Sequence, residues 1–308
     1  MSDEQEPYEP RIPWALTGLI EHGPAELSVR PQRGADLDIV IVLEPGAETA
    51  GQAGIPEELL DALERAHCEV TLVGWEDAAD AADADLILAG GWAAAPEVLR
   101  VESCRNRGVL PGPDGPPLEE LGWAEGIDVI GPRWMGGSLP AGRDEAYRPL
   151  PTHRREDIVH VHGQDPLSLL VAAEVAERRP GVEVVVSGMP FPASLPFEAT
   201  AIDGGAAAVA HAFSLATVGV APAVRGWRPV ATAMLACGLP VVVPRTDAAA
   251  LALGEAAAPV TTPAEGADAV CELLDDLALR AERSREGLEQ VSDWDEIARQ
   301  IVDEAGGA

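Results

Sequence analysis

His160 and His162 lie two residues apart in the run Ile158-Val159-His160-Val161-His162. In an extended chain that spacing puts both imidazoles on one face. A pair so placed can act as acid and base or bind phosphate. It can equally be packing at a strand end. No third ligand accompanies the pair, so no metal is expected. His211, in an Ala-rich stretch, reads as structural. The loop bearing Gly46, Gly51 and Gly54 could cradle a phosphate or a sugar. Its spacing is not that of a dinucleotide fingerprint, and a tight strand-to-helix turn explains it as well. Trp92, Trp134 and Trp227 fall in loops, where an aromatic face can stack on a sugar or simply pack. Asp128 and Asp144 show nothing beyond surface charge. Cys68, Cys104, Cys237 and Cys271 are scattered, which fits neither a disulfide framework nor a zinc site. They read as small apolar core residues.

These groups need elements to hold them. Residues 38–43, 68–73, 85–89 and 128–130 are short apolar runs, typical of strands buried on both faces of a parallel sheet. A helix beginning near Pro56 carries Leu59, Leu60, Leu63 and Ala66 at helical spacing. The Ala-Asp run at 77–85 reads as a solvated helix or loop. After a polar stretch with Arg143, Arg148, Arg154 and Arg155 the pattern restarts. Strands are predicted at 158–162, 182–186, 216–220 and 239–244, and helices at 166–178, 206–215, 229–237, 264–277 and 281–290. Ser292 or Asp293 is placed to cap a last helix. The alternation is α/β and doubly wound, in two tandem halves. The expected organisation is a partly ordered lead-in over 1–35, with one apolar patch at 13–16, and a first Rossmann-like domain over 36–142. A linker over 143–157, a second Rossmann-like domain over 158–290 and a closing segment over 291–308 complete it.

Charge narrows the function classes. The 308 residues hold 21 Lys plus Arg and 52 Asp plus Glu, a formal charge of −31, and every basic residue is an arginine. Such a surface disfavours nucleic acid and anionic membranes. The beginning of the sequence is acidic, unlike a signal peptide, and no apolar run approaches the roughly 18 residues that span a bilayer. A soluble, cytoplasmic protein is expected. The absence of lysine fits GC-rich codons, and the acidic excess fits either that bias or salt adaptation.

The most informative segment is Arg225-Gly226-Trp227-Arg228-Pro229-Val230-Ala231-Thr232-Ala233-Met234-Leu235-Ala236-Cys237-Gly238-Leu239-Pro240-Val241-Val242. It resembles the donor-site helix of the retaining family 4 (group 1) glycosyltransferases, which have the GT-B fold. Their pattern runs Glu-Gly-aromatic-Gly, then Glu-Ala-Met-Ala-Cys-Gly-Leu-Pro-Val-Val. The stretch from Ala236 to Val242 matches without a change. Tyr147-Arg148-Pro149-Leu150, Val161-His162-Gly163-Gln164, the strand unit at 179–188 and Trp294-Asp295-Glu296 fall in the family's order. Residues 84–100 and 128–134 look most like a rhamnosyltransferase-type branch acting on cell-surface polysaccharides.

The resemblance implies two Rossmann-type domains facing across a cleft. A nucleotide diphosphate-sugar would lie there and pass a hexose or deoxyhexose to a glycan with retention, with no metal or other cofactor. The donor-binding positions it implies are Gly163, Gln164, Arg225, Gly226, Trp227, Arg228 and Ala233. Carried over residue by residue, they expose a departure. The family's two glutamates fall on Arg225 and Ala233, its diphosphate arginine on Gln164, and its lysine on Leu169 or, with a one-residue shift, Ser168. All four charged donor ligands are replaced. Each lost charge-assisted hydrogen bond costs roughly 1.5–3 kcal/mol. Arg225 and Arg228 are suited to take over part of the diphosphate contact, since arginine binds phosphate bidentately. Glu255 lies where the family has a mobile glutamate-containing loop. No catalytic residue is identified. Two other readings stay open: a non-catalytic GT-B module binding a partner transferase or a glycan, and a different nucleotide-dependent enzyme on the same fold.

Overall fold

The computed structural model describes residues 37–101, 103–104, 106–112, 128–151, 157–188 and 195–306. The expected lead-in over 1–35, its apolar patch, and Arg154 and Arg155 lie outside these residues.

The first half is a parallel sheet in the order β2-β1-β3-β4-β5. Its strands are β1 (Leu37–Leu43), β2 (Cys68–Gly74), β3 (Leu86–Gly90), β4 (Asn106–Leu110) and β5 (Asp128–Val129). β1 is buried on both faces. Ile39, Ile41 and Leu43 pack on Leu59 and Leu63 of helix α1 (Glu57–Arg65). Val40 and Val42 pack on Trp92 and on Val98 of α2 (Ala95–Arg100). That two-sided burial is why β1 reads as an unbroken apolar run rather than an alternating one. The Ala-Asp run forms a 3-10 turn over Trp75–Ala81, with Ala78 and Ala81 buried.

β6 (Ala141–Arg143) joins neither large sheet. The second half is parallel throughout, in the order β12-β11-β10-β7-β8-β9. It comprises β7 (Ile158–His162), β8 (Glu183–Ser187), β9 (Thr200–Ala201), β10 (Val218–Val220), β11 (Val241–Pro244) and β12 (Ala257–Val260). Counted within this half, the order is 3-2-1-4-5-6, that of dinucleotide-binding sheets. Helices α3 (Pro166–Arg178), α4 (Ala206–Leu215), α5 (Val230–Ala236), α6 (Asp247–Leu253), α7 (Pro263–Asp275) and α8 (Leu277–Glu289) cover its faces. α8 begins four residues before the position expected from periodicity. Asp276 caps it there, its carboxylate accepting from the Leu279 amide at 2.9 Å.

The chain then returns to the first half. β13 (Val291–Asp293) pairs in parallel with β6, and Asp293 caps α9 (Trp294–Gly306) by accepting from the Glu296 amide. Trp294, Ile297, Ala298 and Ile301 of α9 join Leu59 and Leu63 in the first-half core. Residues 36–308 therefore form one unit. All four cysteines are free, three of them buried. Among the described residues, no helix is long and apolar enough to cross a membrane.

Candidate functional site

Doubly wound sheets offer a crevice at the carboxyl ends of the strands, where successive connections leave in opposite directions. In the second half that point lies between β7 and β10. A cavity of about 360 Å³ opens beside it. Its floor is the strand ends, His162 of β7 and Ser187 of β8, with the following Gly188. Its walls are Asp203 and Gly204 after β9, Val209 and Phe213 of α4, Arg228 and Pro229, and Val230, Thr232 and Ala233 of α5. The crossover closes it with Gly142, Arg143, Asp144 and Tyr147.

The strand spacing accounts for the floor. His160 and His162 share a face of β7, but one is core and the other lines the cavity. His160 is fully buried, its Nε2 lies 2.8 Å from the Ser187 hydroxyl, and its ring meets Phe213 edge-on at 4.6 Å. Burial pushes its pKa down to about 3, with His162 adding to the depression. His162 is 9% exposed, and burial lowers its pKa as well. Both imidazoles are therefore neutral at neutral pH, because a buried ring loses the hydration its charged form needs. The Nδ1 of His162 is buried with no hydrogen-bond partner. Gly188, at φ +72°, lies against the His162 ring, and any β-carbon there would collide with it. Tyr147 stacks on Phe213 at 6.0 Å, so the cavity's aromatic surface comes from these two rings.

Arg228 is held from the other side of the molecule. Its Nη1 donates to Glu58 Oε1 at 2.8 Å and approaches Asp144 Oδ1 at 3.4 Å. Asp144 also accepts from the Trp294 indole at 3.3 Å. The sequence reading of Asp144 as bare surface charge is thereby corrected. The carboxylate is half-buried and joins the crossover to Arg228 of the second half and to Trp294 of α9, while Glu58 brings α1 to the same guanidinium, a convergence of residues 58, 144, 228 and 294 that no local pattern carries.

The seven residues singled out for donor binding separate into three groups. Arg228 and Ala233 line the cavity. Gly163 and Gln164 form the turn after β7, where the Gly163 amide donates to the Ser187 carbonyl at 2.8 Å and Gln164 is exposed. Arg225, Gly226 and Trp227 belong to a loop clamped to the first half. The Trp227 indole is 4% exposed and donates to the Pro111 carbonyl at 2.8 Å, and the Gly226 carbonyl accepts from the Trp134 indole at 2.8 Å. Arg225 is exposed beside them. Trp92, Trp134 and Trp227 thus pack or bridge the halves, and none lines the cavity. The loop with Gly46, Gly51 and Gly54 is a folded-back turn whose Ala50 and Ala53 are buried. His211 and Glu255 are exposed and away from the cavity lining. Sequence reasoning did not single out Tyr147, Phe213, Asp203 or Arg143 as site residues. Two had a signal: Tyr147 opens a segment shared with the resembled family, and Arg143 begins the arginine-rich crossover.

A larger recess of about 740 Å³ lies on the far side of Arg143 and Asp144. Six of its lining residues are carboxylates and three are arginines, so its field repels anions. The first cavity holds two arginines, two aspartates and neutral histidine, a balanced set in a chain of charge −31. By the charge of its lining, the first is less repulsive to an anionic ligand than the second. Among the described residues, no group of three or more His, Cys, Asp or Glu is placed to hold a metal ion.

No protein-family model and no curated protein matches this sequence. The chain is similar in structure to AviGT4, a glycosyltransferase involved in avilamycin A biosynthesis. The TM-score is 0.52 at 16% identity, over 88% of this chain and 99% of that one. HepE from Anabaena, crystallised with UDP-glucose, gives 0.56 at 14% identity over 88% and 100%. A UDP-N-acetylglucosamine 2-epimerase gives 0.52 at 12% identity over 87% and 95%. The likeness is one of fold: a GT-B-like pair of Rossmann-type, doubly wound halves.

Proposed function

We propose that this chain is a GT-B glycosyltransferase that takes a nucleotide diphosphate-sugar into the 360 Å³ cavity and passes a hexose or deoxyhexose to a glycan acceptor. The observation that carries the reading is the position of that cavity, at the switch point of a 3-2-1-4-5-6 sheet, with a locally balanced charge in a strongly acidic chain. Residues 158–290 are the nucleotide-sugar half and 36–142 the acceptor half. The donor would be met by the cavity residues Arg228 and Ala233, with Gly163 and Gln164 on the turn beside them and with Arg225, Gly226 and Trp227 acting from outside the cavity, as the loop that positions Arg228. Neutralising the diphosphate as it departs is the main electrostatic task of such a site. Retention of configuration and a role in cell-surface polysaccharide synthesis follow from the resemblance to family 4 and its rhamnosyltransferase-like branch.

One observation favours a second reading, a non-catalytic module that engages a partner transferase or a glycan. Arg228 spends its charge on Glu58 and Asp144 rather than holding it open for a donor. Calorimetry against UDP, GDP, dTDP, ADP and their common sugar conjugates separates the two. Binding near micromolar affinity, followed by release of the nucleoside diphosphate when a glycan acceptor is added, is the outcome expected of the transferase. A flat panel overturns it in favour of the module.

A further inference from the structure

The four charged donor ligands of the resembled family are replaced by Gln164, Leu169, Arg225 and Ala233, so a bound diphosphate needs positive charge from elsewhere. Three residues of the cavity lining are bases: His162, Arg228 and Arg143. His162 is neutral at neutral pH because burial depresses its pKa, so it offers hydrogen bonds and no charge. Arg228 is compensated by Glu58 at 2.8 Å and by Asp144 at 3.4 Å. Arg143 differs from both. It is half-buried and stands between the cavity and the acidic recess, lining both, yet among the described residues no carboxylate lies within ion-pair distance of it, in a chain where acidic residues outnumber basic ones 52 to 21.

We infer that Arg143, carried on the crossover strand β6, is the cation that holds the diphosphate of a donor bound in the 360 Å³ cavity. The inference rests on the nucleotide-sugar reading proposed above. It moves the phosphate-neutralising charge from the turn after β7 to the segment that joins the halves. The local structure suits the task. β6 is held by pairing with β13, with Arg143 opposite Asp293 in the register. The preceding Gly142 lies flat on the Trp294 indole, so closely that a β-carbon would overlap the ring. Asp144 is drawn off by Arg228 and Trp294. A strand fixed before the guanidinium and a carboxylate engaged after it leave Arg143 available to the cavity. A planar guanidinium in a partly desolvated site grips a diphosphate through paired N–H donors, which a point charge does less well. The second carboxylate of the lining, Asp203, is an acceptor suited to hydroxyl groups rather than to phosphate.

The test is calorimetry with UDP, GDP, dTDP and ADP, repeated with the matching nucleosides, on wild type, Arg143→Gln, Arg143→Lys and Arg148→Gln. Arg148 lines the acidic recess and not the 360 Å³ cavity, and serves as the control. Arg143→Gln is expected to weaken the diphosphate that binds wild type by about 10-fold or more, the effect of one charge-assisted contact. It should change affinity for the nucleoside less than about twofold. Arg143→Lys should fall between, and Arg148→Gln should match wild type. Thermal denaturation reports whether the variants fold. If Arg143→Gln does not fold, Arg143→Lys decides: a loss confined to the diphosphate supports the assignment, and wild-type affinity overturns it. Equal diphosphate binding by wild type and folded Arg143→Gln overturns the role of Arg143 and leaves the proposed function standing. Equal weakening of nucleoside and diphosphate makes Arg143 a structural residue and likewise overturns it. A wild-type chain that binds no nucleoside diphosphate overturns both.

Discussion

At the carboxyl end of the first sheet, the loop over 44–56 folds back across β1 and β3. The Ile55 amide donates to the Ala50 carbonyl at 2.9 Å, and Ala50, Ala53 and Ile55 are each no more than 3% exposed. The Ile55 side chain lies 3.1 Å from where a β-carbon on Gly90, the last residue of β3, would stand. At the second sheet, β7 runs through a three-residue turn straight into α3, and among the described residues no such loop folds back over the strand ends, where His162, Ser187 and Gly188 line the cavity. The two sheets offer comparable crevices. What differs is the chain after the first strand: a loop long enough to fill the space in one half, too short to do so in the other. Topology supplies a crevice, and the following loop decides whether it is plugged or open to a ligand.

Ile55→Ala is the strongest way to break the contrast. It removes the plug of the first crevice and should cost about 2–5 kcal/mol in urea denaturation, through lost burial and the cavity left behind. A cost below about 1 kcal/mol would mean that the loop relaxes over the strand ends and that the plug is not a packed feature. The floor of the second crevice gives an acid-sensitive counterpart. His160 is held neutral in the fold, with its pKa near 3 against 6.5 in the unfolded chain. The unfolded chain therefore takes up a proton that the folded chain refuses. The stability from this group is fully present above about pH 6.5 and is lost as pH falls, by about 2 kcal/mol between pH 6.5 and 5. His160→Gln should flatten the fall in denaturation free energy over that window by this amount. An unchanged slope would show that the ring is not the buried neutral group described. The smallest effect is expected at the rim. Arg228→Gln breaks a pair whose partners are each 41% exposed, so it should change stability by about 0–1 kcal/mol, less in high salt. A loss above about 2 kcal/mol would move the anchoring of the second-crevice loop from the buried Trp227 to this ion pair.

Much of the fold was legible because burial on both faces of a parallel sheet leaves a strong local trace. β1, β7, α3 and α4 were readable to within a residue from apolar runs and helical spacing. β6, β9 and β13 were not, because their two or three residues lack the apolar run that marks the equally short β5 and β10, and they form only when their partners come alongside. The site was legible in part for the same reason. Alternation put His160 and His162 on one face, but only packing made the first a core residue bonded to Ser187 and the second the floor of a cavity. Of the motif at 225–228, Arg228 lines the cavity. The motif's tryptophan and glycine turned out to be structural clamps reaching Pro111 and Trp134, contacts across 116 and 92 residues.

By itself the sequence determined the class of architecture, two doubly wound halves, and the scarcity of positive charge. Both are properties of local pattern and composition, which need no knowledge of what touches what. Tertiary structure alone decided which crevice is filled and which holds a cavity, that Asp144 joins three parts of the molecule, and that, among the described residues, Arg228 has carboxylate partners at ion-pair distance while Arg143 has none. Those outcomes depend on distances between groups far apart in the chain. Electrostatic interaction and desolvation act through space, so the charge available to a ligand is settled only when the chain has folded around it.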